Sequence, residues 1–161
     1  MTTINIKISK LIALFSIFVC FASQANEPVE LFWEDMVPKN YVAPEAELSH
    51  DGSMMQLGVD APIVKTLDNK LVKIPGFVVP LEGDNLNTTE FLLVPYFGAC
   101  IHVPPPPANQ IVYVKFSKGV PIHNIQDAVW VTGTLSTKSW QGDLATVGYS
   151  LAGIKISPYD G

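Results

Sequence analysis

Leu71-Val72-Lys73-Ile74-Pro75-Gly76-Phe77-Val78-Val79-Pro80-Leu81 is the stretch on which the fold of this chain turns. Its β-branched and aromatic residues suit a pleated, half-buried surface. Yet Pro75 lacks the N–H that a strand interior donates, and Gly76 has no side chain to pack. A strand over residues 70–79 with a bulge or sharp bend at Pro75-Gly76 satisfies both facts. Such a bend belongs in a sheet that has to curve, and Gly133 and Gly153 interrupt two later strand-like runs in the same manner.

Working outward, β-branched and aromatic runs broken by turn residues predict further strands at residues 63–66, 90–96, 110–116, 128–136 and 146–157. Asp68-Asn69 predicts a hairpin turn between the first two strands, because both residue types tolerate positive φ. Five or six strands with no helix-length segment among them imply an all-β fold, a small antiparallel barrel occupying residues 58–161. The five-stranded Greek-key barrel of the oligonucleotide/oligosaccharide-binding (OB) type fits this count and length. One departure is that residues 117–127, where that fold usually inserts a helix, hold Gly119 and Pro121 and predict only a short turn. An SH3-like barrel or a small sandwich uses the same number of strands. Residues 26–57 read as an N-terminal extension of acids, prolines and short apolar patches, with one or two helical turns docked on the barrel and Phe32 and Trp33 as packing anchors.

Ahead of this, Lys7 and Lys10 precede an uncharged apolar run from Leu11 to Phe21 and the small-residue stretch Ala22-Ser23-Gln24-Ala25. That is the pattern of a secretory signal peptide. The run is too short to span a bilayer, which takes roughly 20 residues, and Val19 disfavours lipid attachment at Cys20. Cleavage after Ala25 and a periplasmic product are therefore expected. The chain carries 10 lysines and arginines against 15 acids, for a net charge of −5. Losing Lys7 and Lys10 with residues 1–25 takes this to −7. All the cations are lysine, and an acidic exported protein without arginine is unsuited to neutralising phosphates, which excludes nucleic acid as a partner. Once Cys20 is gone, Cys100 has no partner within the chain, so stability rests on the core and not on a disulfide.

Cys100 stands in Tyr96-Phe97-Gly98-Ala99-Cys100-Ile101-His102-Val103-Pro104-Pro105-Pro106-Pro107. In extended backbone, residues two apart share a face, so Cys100 and His102 are expected to point together from a mount stiffened by four prolines. Thiolate and imidazole are preferred zinc ligands. His123, in the turn after the following strand, is the candidate third ligand, with His50, Asp51, Glu90 and Asp127 as further donors. Against this stands a structural reading in which Cys100 packs as a small apolar residue and His102 bonds the loop backbone. A Cys100 nucleophile with His102 as base lacks an orienting third group, and a redox role lacks a resolving cysteine, so the protein is not expected to be an enzyme. The third reading is a docking element built from Pro104, Pro105, Pro106 and Pro107 with Tyr96 and Phe97, since proline runs are preformed recognition surfaces.

The Cys-x-His-x-Pro-Pro-Pro-Pro string, together with residues 33–38, 75–81, 91–95, 131–135 and 148–151, resembles the exported bacterial family known as domain of unknown function 3299. The resemblance implies an OB-like barrel, a periplasmic address and association with ABC-type export or metal-uptake systems linked to zinc. The expectation is thus a non-enzymatic periplasmic accessory of an ABC-type envelope transporter, with zinc as the metal if the Cys-x-His pair holds one. The alternative is a metal-free interaction module that docks through its proline loop.

Overall fold

The computed structural model describes residues 27–44, 55–84, 86–100 and 103–160. The expected signal peptide, together with His50, Asp51 and His102, lies outside the described residues. Eight strands are present among those described: β1 (Val29–Glu30), β2 (Leu71–Glu82), β3 (Thr88–Val94), β4 (Val112–Val120), β5 (Val129–Ser136), β6 (Trp140–Gln141), β7 (Thr146–Val147) and β8 (Tyr149–Pro158). Helical structure among them is confined to 3-10 turns at Trp33–Met36, Lys65–Leu67 and Ala108–Gln110. None of the described helices is long and apolar enough to cross a membrane.

The main sheet runs β1-β2-β3-β4-β8-β5 and closes through β2 and β5, giving a five-stranded barrel with β1 added outside the ring. Pro75-Gly76 lies where closure is made. Leu71 to Gly76 pair with β5, and from Phe77 onward β2 pairs with β3. The expected break is therefore a change of partner within one continuous strand, while the β2–β3 register shift falls between Pro80 and Glu82.

The barrel is mixed, which corrects the expectation of a purely antiparallel one. An odd number of strands cannot alternate direction around a closed ring, so at least one neighbouring pair must be parallel. That pair is β4–β8. β8 enters between β4 and β5, runs antiparallel to β5 and so travels with β4.

Alternate residues fill the barrel, as the pleat requires. Val72, Ile74, Val78, Phe91, Leu93, Val112, Val114, Phe116, Val131, Leu135, Tyr149 and Leu151 belong to one buried cluster. Leu31 and Met36 join it from the N-terminal extension, and β1 extends the edge of β2 in parallel. A second cluster lies on the outer face of β2, β3 and β4 and contains Val79, Leu92, Val94, Ile111 and Cys100. It is covered by the β6–β7 hairpin through Ala145 and Val147, while Trp140 stacks on Tyr113 with centroids 4.5 Å apart.

Between β5 and β8 the register shifts so that Gly133 opposes Gly153 and Ile154 is extra. The shift reverses the side-chain parity of β8, leaving Ile154 64% exposed while Ile156 packs against the core. A methyl group at Gly133 would collide with the Ala152 carbonyl oxygen, a backbone atom with no rotamer to escape through. Gly133→Ala is expected to destabilise the fold by roughly 1–3 kcal/mol in urea unfolding, and an unchanged midpoint would contradict this placement of the bulge.

Candidate functional site

The segment between β3 and β4 forms a bent loop instead of an extended strand. Gly98 takes φ 86° and Cys100 takes φ 66°, both in the left-handed region. The Val103 N–H donates to the Gly98 carbonyl at 3.3 Å, and Ala99 bridges Val103. The backbone at Cys100 is therefore turned and not extended as expected, while His102 lies outside the described residues.

Leaving this bend, the prolines are pinned from the neighbouring loops. Gln56 Nε2 donates both to the Pro106 carbonyl at 2.9 Å and to the Thr146 carbonyl at 2.8 Å, and Gln56 Oε1 accepts from the Thr146 N–H. The Ala108 N–H donates to the Gly58 carbonyl and the Gly148 N–H to the Ala108 carbonyl. Gly58, at φ 67°, lets Tyr41 and Pro107 close on a spot where no Cβ fits. Asn109 is fully buried and donates from Nδ2 to the Pro62 carbonyl at 2.9 Å, and Gln110 Nε2 donates to the Trp33 carbonyl at 3.0 Å. The proline run is thereby held to the N-terminal segment on one side and to the β6–β7 hairpin on the other.

Cys100 itself is 8% exposed and belongs to the outer apolar cluster. Burial pushes its thiol up to about 11. His123 lies on the exposed loop after β4, against Pro121, Ile122, Asn124 and Asp127. Cys100 clusters with Ile111, at the other end of β4. Nine strand residues between them span roughly 25 Å, so the structure does not bring the two together. Glu90 is likewise engaged elsewhere, accepting from the Tyr113 hydroxyl at 2.5 Å and pairing with Lys115. These bonds hold its carboxyl below the usual range, the Lys115 contact contributing most. Among the described residues no group of three or more His, Cys, Asp or Glu could hold a metal ion.

The same environment sets a pH response. The folded state holds the Cys100 proton up to about 11 and the Tyr113 proton up to about 12, above the values of about 9 and 10 that apply when the chain unfolds. Burial comes first for both groups, and the bond to Glu90 adds to it for Tyr113. Folding is favoured fully below the unfolded values and loses that contribution as pH rises through the folded ones. Urea midpoints are expected to be flat from neutral pH to about 9 and to fall towards 11. Alkylation of Cys100 at pH 8 is expected roughly a hundredfold below an ordinary thiol, because so firmly held a proton leaves about a hundredth of the usual thiolate.

Among its described residues, the loop exposes large apolar side chains. Tyr96 is 44% exposed, Phe97 45% and Val103 41%. Phe97 rests edge-on against Phe77 at 6.1 Å, so its ring is held while much of it faces outward. Sequence reasoning singles out Tyr96, Phe97 and the prolines. It misses Tyr41, Gln56 and Val103, whose roles depend on loops that fold back from distant positions.

The fold is thus a closed five-stranded barrel that carries a proline-braced loop with apolar side chains on its surface. The chain belongs to the DUF3299 family, described as proteins of unknown function, whose profile matches residues 33–158. It is similar to a DUF3299 family protein from Pseudomonas aeruginosa PAO1 known from a crystal structure, with 43% identity and a TM-score of 0.74, over 84% of this chain and 98% of that one. A search of curated proteins finds no match.

Proposed function

We propose that this chain is an exported, non-enzymatic accessory protein of the cell envelope that docks, without a metal, onto a protein of an ABC-type transport system through its proline-rich loop. The observation that carries this reading is the contrast at one bend of chain. The thiol that would bind metal is sealed in the apolar cluster, while Tyr96, Phe97 and Val103 beside it stand exposed on a mount of four prolines. Rings held rigidly before binding lose little entropy on contact, and aromatic anchors contribute disproportionately to interface energy. The periplasmic address is supported by the residue pattern of positions 1–25, and the transporter link by the family resemblance.

A photo-crosslinking amino acid at position 97, introduced into the full chain in its native cell, tests this. The expected result is one discrete adduct that Val103→Asp abolishes without altering the melting temperature. Equal labelling from position 154, an exposed residue on β8, would overturn the reading, as would no adduct from position 97.

A further inference from the structure

Tyr96, Pro106 and Pro107 form a ridge with a cleft on either side. The larger cleft, about 520 Å³, opens against the N-terminal segment at Val37, Pro38 and Tyr41. The smaller, about 350 Å³, is bounded by Met55, Leu57, Val103 and Pro104. Among the described residues no charged side chain lines the smaller cleft, and the larger holds one acid, Glu34, and one base, Lys39. An ionic group entering either cleft would lose its hydration and meet no net counter-charge, whereas an apolar group loses nothing of the kind. The walls are largely proline and tyrosine, already fixed before anything binds.

An extended chain can straddle such a ridge, because its alternate side chains project to the same side. Asn109 is among the lining residues of the larger cleft, with its Nδ2 committed to the Pro62 carbonyl.

We infer that the ridge binds an extended, uncharged segment of the partner protein, with one apolar side chain entering each cleft. This rests on the docking role proposed above and specifies what is recognised.

The test titrates the isotopically labelled protein with the acetylated, amidated hexapeptide Leu-Pro-Leu-Leu-Pro-Leu. The same peptide with lysine or aspartate for one leucine serves as comparison, and the chemical shifts are followed by NMR. Expected are shifts confined to Tyr41, Tyr96, Val103 and the Asn109 side-chain amide. Binding should be about tenfold weaker for either charged peptide, and about tenfold weaker again in Tyr96→Ala. Val103→Asp, on the exposed rim, gives a second variant that keeps the core intact. Shifts elsewhere on the barrel, preference for a charged peptide, or no shift at millimolar peptide would overturn the inference. If that happens while position 97 still crosslinks a partner, docking stands and only its peptide specificity falls. Loss of both removes both.

Discussion

Trp130→Ala is expected to lower the unfolding free energy by about 3–5 kcal/mol, the range for removing a buried tryptophan. Trp130 is 5% exposed and is the point where both ends of the described chain meet the barrel. Phe32 of the N-terminal segment meets its ring edge at 5.9 Å, and Tyr159 near the C-terminus lies 5.2 Å away. Lys73 Nζ sits 4.1 Å over the ring while pairing with Glu30 at 3.3 Å. The indole N–H donates to Asp160 at 3.0 Å. Truncation opens a cavity and releases both segments, so the variant should also be cut sooner by protease near residue 32. Trp130→Phe should restore part of the stability and less of the tail protection, since it returns the ring without the N–H. A loss below about 1 kcal/mol for the alanine variant would show that the segments are held elsewhere.

Tyr149→Phe should cost about 2–4 kcal/mol although it removes a single oxygen. Tyr149 is fully buried at the start of β8, and its hydroxyl accepts from the Val64 N–H and donates to the Met36 carbonyl, each at 2.7 Å. Phenylalanine leaves the buried Met36 carbonyl and the part-buried Val64 N–H unpaired, and the penalty for such groups exceeds the net value of an ordinary hydrogen bond. The loss should appear in urea unfolding with the slope unchanged, and hydrogen exchange should quicken at Val64. A variant as stable as the parent would mean that water replaces the hydroxyl.

The barrel is legible in the sequence because its strands carry period-two patterns and its bends carry glycine. Less visible is where one strand hands over to another. Residues 63–66 have strand composition, but the chain turns at Lys65–Leu67 because the edge that a hairpin partner would use, at Val72 and Lys73, is taken by β1 from the N-terminal extension. Asn69 does take positive φ, 59°, as a turn there requires, but its N–H goes to the Leu135 carbonyl instead of a hairpin mate. Phe91-Leu92-Leu93-Val94 reads as one apolar run because both faces are covered, the outer one by a hairpin whose strands are only two residues long. Residues 146–157 read as a single strand, yet Gly148 separates β7 from β8.

At the candidate site, composition marks the proline-rich segment but not its bend at Cys100. A spacing of two implies a shared face only in extended backbone, and nothing in Gly98-Ala99-Cys100 announces a left-handed cysteine. Linking His123 to Cys100 requires its turn to come back to the β3–β4 end, but β4 continues to Val120 and carries the loop away from it. The exposed aromatics are identifiable because a proline run cannot be buried in a sheet interior and its neighbours tend to face outward with it.

Elemental analysis of the full-length protein, purified without a histidine tag, tests most directly whether this loop works through its surface or through its thiol. We predict no stoichiometric zinc and a melting temperature that neither added zinc nor a chelator moves. One zinc per chain, lost on Cys100→Ala, would contradict the account.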